Sequence, residues 1–95
     1  MKQECEFDWD AHNERHLASH GISHFDAEDV LSGNHILMEY QIEGHEQRWV
    51  AIGATRTSRI LNIVFAVRDE AMRPITGWAA DKETADLYLK QWGLE

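Results

Sequence analysis

ILNIVFAV, residues 60–67, is the run that decides the fold. Side chains alternate between the two faces of a strand. This run is apolar at both parities except at Asn62. Such a pattern predicts a central strand covered on both sides. Downstream, Asp69-Glu70 predicts a turn into a strand over Met72–Trp78. Pro74 has no backbone donor, so that strand belongs at an edge or is bulged there. Upstream, Thr55-Arg56-Thr57-Ser58 connects back to a strand over Trp49–Ala54. Gly44-His45 begins the turn before it. Ile36, Met38, Tyr40 and Ile42 alternate with Leu37, Glu39, Gln41 and Glu43, which predicts a strand with one wet face. The four segments form a meander.

Helices flank it. Asp8 or Asp10 caps a first helix running to about His20, and Gly21 suits the position just past its end. Phe7 to Trp9 precedes it as a short first strand. Ser23-His24-Phe25-Asp26 reads as a capping box opening a second helix to about Leu31, followed by a turn at Ser32-Gly33-Asn34. Asp81 caps a last helix to about Trp92, with Leu87 and Tyr88 inward and Gly93 ending it. The order predicts one α+β domain over residues 1–95, with helices against an antiparallel sheet.

Ninety-five residues allow only a modest core, and a partner or self-association as a homodimer would add to it. No apolar run approaches ~18 residues, which predicts no membrane span. The start MKQECEFDWD lacks an apolar signal region, and Cys5 has no second cysteine to pair with. Both point to a reducing cytoplasm. The net charge is -8, which repels phosphate when taken over the whole chain. The distribution is uneven. Residues 1–46 hold eleven acids against Lys2 and Arg15, whereas residues 47–68 hold Arg48, Arg56, Arg59 and Arg68 and no acid. A locally positive surface on an acidic body is one reading. Arginines on solvated strand faces and loops are the other.

Histidines stand at 12, 16, 20 and 24, a spacing that stacks side chains on one helix face. His12 and His20 are about 12 Å apart along an axis rising 1.5 Å per residue. One ion at about 2 Å from each nitrogen cannot span them. Only a neighbouring pair such as His12 and His16 would share a metal, so neither a native metal site nor a cofactor is expected. Trp9, Asn13, His16, Leu17 and His20 fall on one stripe, taken as sheet-facing, which would leave His16 and His20 partly buried. Two roles fit them: imidazoles satisfied by backbone groups, or a general acid or base beside the sheet. His12 reads as solvent-facing, and His24 as the start of the next helix.

Three blocks in order carry a resemblance: FDWDAHNERHLASHGIS at 7–23, AIGATRTSRILNIVFAVR at 51–68 and MRPITGWAADKETADLY at 72–88. Together they resemble BrnT-type toxins. The resemblance implies a RelE-like fold and a bacterial type II toxin that cleaves RNA. It also implies a BrnA-type ribbon-helix-helix antitoxin as partner, with DNA bound only through that antitoxin. Trp9, Asn13, His20, Gly21, Arg59, Arg73, Thr76 and Tyr88 match family positions. Trp78 stands where the family usually has arginine, Thr84 where it usually has glutamate, and Ser19 where a basic residue is common.

Metal-independent RNA cleavage needs a base for the 2′-hydroxyl, an acid for the leaving oxygen, and cations for the phosphorane. The resemblance makes His20, Arg59, Arg73 and Tyr88 the catalytic candidates, with His16 beside them. Arg59 and Arg73 would clamp the phosphate, while His20 or Tyr88 moves protons. Arg48 and Arg56 would contact RNA. Trp78 would stack on a base, or instead serve the core or a protein contact. The net charge, Trp78 and Thr84 support an alternative: a binding module that kept the fold, lost catalysis, and forms a complex with an antitoxin-like protein.

Overall fold

The computed structural model describes residues 6–44 and 46–93. Cys5 and His45 lie outside the described residues, and with them the unpaired thiol and the second turn position. The elements run α1 (Ala11–Ser19), α2 (His24–Ser32), β1 (His35–Glu43), β2 (Glu46–Ala54), β3 (Ile60–Arg68), β4 (Ala71–Ala79) and α3 (Lys82–Gln91). The sheet is an antiparallel meander in the order β1-β2-β3-β4. This is the expected α+β layout.

β3 is the centre of it. Leu61, Ile63 and Phe65 point to one face, where they join Ala51 and a cluster from α1 and α2: Leu17, Ile22, Ala27, Val30 and Leu31. Val64 and Ala66 point the other way and are also buried, as are their β2 neighbours Val50 and Ile52. Full burial of such side chains contributes roughly 1.5–3 kcal/mol each. Asn62 is buried too, the one polar residue in the run. At Gly77, a Cβ would stand 2.8 Å from the Asn62 carbonyl oxygen and 2.9 Å from Ile63 Cδ1. Only glycine lets β4 approach that closely.

Capping sets the helix ends. Asp10, not Asp8, caps α1, and its side chain accepts from the Asn13 amide. Ser23 and Asp26 form the expected capping box of α2. Gly21 takes φ 76° just past α1, the left-handed geometry anticipated there. Asp81 caps α3 through the Thr84 amide.

Four expectations are corrected. Phe7–Trp9 is not a strand of the sheet: Phe7 makes a single parallel bridge to Met72, with Asp8 N donating to Met72 O at 2.9 Å. β2 begins at Glu46, three residues early, because Glu43 pairs with Glu46. Leu87 is 51 % exposed, so only Tyr88 of that pair is buried. The alternation in β1 breaks because Glu39 pairs with Trp49 and Gln41 with Arg48, leaving Tyr40 as an extra residue. Tyr40 is exposed, and so are Leu37 and Met38 ahead of the bulge. β4 is an edge strand with a bulge, as Pro74 required: Pro74 pairs with Phe65 and Thr76 with Val64, leaving Ile75 unpaired.

The β3–β4 hairpin closes with Asp69 and Glu70 at φ 50° and 67°. Two positive-φ residues define a turn whose twist suits the hairpin, but a non-glycine side chain is strained there by roughly 1–2 kcal/mol. Glu70→Gly should therefore raise stability by about 1 kcal/mol, or Tm by about 4–8 °C. Thermal unfolding followed by circular dichroism checks this, and an unchanged or lower Tm contradicts it.

Candidate active site

The strand register brings three arginines together. Arg48 precedes Trp49, the partner of Phe65, so it lies beside Ala66 on β3. Ala66 pairs with Arg73 on β4. Arg68 stands two residues along β3, on the same face as Ala66. With His12, Asn13, Pro74 and Ile75 these arginines line a cleft of about 180 Å³. The unpaired Ile75 of β4 sits at this level, where a bulge bends the strand.

Asn13 fixes the cleft wall. It is almost fully buried, and its amide donates to the carbonyls of Asp8 at 3.0 Å and Pro74 at 2.8 Å. Its oxygen accepts from Asp10 N at 2.8 Å. α1 is thereby pinned along the outer edge of β4.

Acids of the chain answer each arginine. Arg73 is mostly buried and bonds Asp10 at 2.9 Å, with Asp8 at 3.5 Å. Arg68 bonds Glu46 at 2.6 Å, and Arg48 Nε lies 3.5 Å from the same carboxylate. That Arg48 Nε is buried without a hydrogen-bond partner among the described residues. The Asn13 backbone N–H, and then the Arg73 guanidinium, hold Asp10 below its ordinary carboxyl value. Arg68 and then Arg48 do the same for Glu46.

A row of histidines continues from the cleft along α1. His12 lines both the cleft and a shallow groove shared with Arg15, His16 and Ser19. His16 Nε2 is 3.1 Å from Thr76 Oγ1 on β4. His20 caps the C-terminus of α1, its ring edge-on to His16 with centroids 5.3 Å apart. The anticipated partial burial of His16 and His20 is corrected: both are exposed, because Asn13 and Leu17 alone occupy the inward side of α1. His12 is exposed as read, yet it also belongs to the cleft. His24 opens α2 and packs edge-on to Trp9.

The other candidates lie elsewhere. Arg59 donates to the Gly21 carbonyl at 3.1 Å and pairs with Asp26 at 3.4 Å. Seven residues of β3 separate it from Ala66, the partner of Arg73, or about 23 Å at strand rise. The two arginines therefore do not clamp one phosphate. Arg56 is in the same connection and pairs with Asp29 at 3.0 Å. Tyr88 is buried and its hydroxyl donates to the Asn34 carbonyl at 3.0 Å. Trp78 is 40 % exposed and lies outside the buried core cluster. Arg68 joins the cleft without having been singled out: an arginine ending an apolar strand reads as a solvated terminus until β4 folds back beside it. Among the described residues, no three His, Cys, Asp or Glu side chains stand close enough to hold a metal ion. No helix there is long and apolar enough to cross a membrane.

A small α+β protein with an arginine cleft beside a histidine row is the class that fold and site define. The family model described as the ribonuclease toxin BrnT of type II toxin–antitoxin systems matches residues 9–83, and the chain belongs to that family. Membership carries an antitoxin partner with it. No curated protein matches the chain.

The depressed carboxyls fix a pH dependence. A lowered folded value gives stability that is present above the unfolded value, about 3.9 for Asp and 4.3 for Glu, and lost as pH falls through the folded value. Asp10→Asn keeps a capping oxygen but loses the charge. The wild type should be more stable than this variant above about pH 5, and the gap should close below about pH 4. Tm measured from pH 6 to 2.5 checks this, and a gap that is constant or widens in acid contradicts it.

Proposed function

We propose that this chain is a metal-independent endoribonuclease toxin, RelE-like in fold and held by a BrnA-type ribbon-helix-helix antitoxin. One observation carries the reading: Arg48, Arg68 and Arg73 converge on one face beside the histidines of α1. Guanidinium groups bind phosphate oxygens in pairs and stabilise the charge that builds on a phosphorane. Arg73, the most enclosed of the three, takes that part. His12, which lines the same cleft, and His16, one turn along α1 in the adjoining groove, are the proton carriers. One imidazole removes the 2′-hydroxyl proton, and O2′ attacks phosphorus. The bond to O5′ breaks, and the second imidazole, in its protonated form, gives O5′ a proton. The products are a 2′,3′-cyclic phosphate and a free 5′-hydroxyl. His20 acts through its edge contact with His16. Arg59 and Tyr88 hold the α1–α2 corner and α3 in place. DNA is reached only through the antitoxin.

A second reading has its own support. Each cleft arginine is already paired with Asp8, Asp10 or Glu46, so an incoming phosphate competes with three carboxylates. A binding module without cleavage would show this pairing as its resting state.

Expression of the chain alone should arrest growth and degrade RNA. Arg73→Ala should slow cleavage by about 10²–10³-fold, and His16→Ala by about 10²–10⁴-fold. Cleavage of a labelled oligoribonucleotide by the purified protein, with EDTA present, measures both. A folded wild type that binds its antitoxin and cuts no RNA favours the second reading.

A further inference from the structure

Two large aromatic side chains lie open on the face that holds the arginines. Trp78 pairs with Asn62 on β3, so it shares the face of Val64, Thr76 and Ala66. Tyr40 is the extra residue of the β1 bulge, a position that re-aims a side chain. Its ring lies 6.4 Å from that of Trp78, inclined at 52°. β1 and β4 are the two outer strands, so these rings lean toward each other across the face of β2 and β3. They are 45 % and 40 % exposed.

Their surroundings identify a ligand. Thr76, two residues from Trp78 on the same face, bonds His16. Arg73 follows about 16 Å away at strand rise, beyond the Ile75 bulge. Open π-faces at one end of a track and guanidinium groups at the other match an unpaired strand a few nucleotides long, which offers flat bases and charged phosphates.

We propose that Tyr40 and Trp78 form a stacking platform for one unpaired base of the RNA whose phosphate enters the arginine cleft. The proposal rests on RNA being the ligand of that cleft. The enzyme then prefers single-stranded RNA, since a paired base is not free to lie on the rings.

Binding of a fluorescent 2′-O-methyl oligoribonucleotide, which lacks the attacking hydroxyl, tests this. Trp78→Ala and Tyr40→Ala should each weaken binding by about 5–100-fold, and Trp78→Phe should retain most of the affinity. An oligomer abasic at the stacked position should lose as much with the wild type, and Trp78→Ala should cost nothing more with that oligomer. Should Trp78→Ala unfold the protein, Trp78→Phe and the abasic series still decide the matter. If the aromatic variants bind like wild type while Arg73→Ala does not, the platform is overturned and the cleft stands. Absence of wild-type binding overturns both. If Trp78→Ala disrupts the antitoxin complex and leaves RNA binding intact, the face is a protein interface and the proposal fails.

Discussion

The buried amide of Asn13 is the constraint on which the rest of the structure depends. One side chain bonds the N-terminal segment at Asp8, the start of α1 at Asp10, and the bulged edge strand at Pro74. Leaving a buried carbonyl such as that of Pro74 without a donor costs about 1–3 kcal/mol. The consequences are functional as well as structural. Asp8 and Asp10 reach Arg73 because Asn13 holds them there. His12 and His16 border the cleft because α1 is fixed along β4.

Two bulges shape the open face. Tyr40 interrupts β1 and Ile75 interrupts β4. A regular sheet would set the side chains of the outer strands upright and apart. The interruptions instead lean Tyr40 toward Trp78 and bend β4 beside Arg73. The antiparallel pairing also polarises the sheet, with Arg48, Arg68 and Arg73 toward one end and Arg56 and Arg59 in the β2–β3 connection at the other. The acidic composition does not remove this local cation cluster. It supplies Asp8, Asp10 and Glu46, the carboxylates that pair with the cluster, and electrostatic pairing of this kind is sensitive to salt.

Much of the fold was legible because local physics fixes it. The two-sided apolar run at Ile60–Val67 named the central strand. Pro74 named an edge or a bulge, and β4 has both; Ser23 with Asp26 named a helix start. Leu87 and Tyr88 show the limit: helical spacing locates a stripe to within one residue, and packing chose Tyr88. The site was less legible. Arg73 and His16 were within reach of motif reasoning, but register decides neighbours across a sheet. A single extra residue at Tyr40 or Ile75 shifts every pairing beyond it. The resemblance made Arg59 and Arg73 partners although the length of β3 separates them, and Arg68, open to either a positive-surface or a solvated reading, borders the cleft.

The central claim is that RNA engages the arginine end of the sheet. Nuclear magnetic resonance of the arginine Nε–Hε groups, recorded as an uncleavable single-stranded oligoribonucleotide is added, tests it most directly. The signals of Arg48, Arg68 and Arg73 should move together and saturate, while those of Arg56 and Arg59 stay in place. Shifts confined to Arg56 and Arg59, or no saturable shift at any arginine, would contradict it.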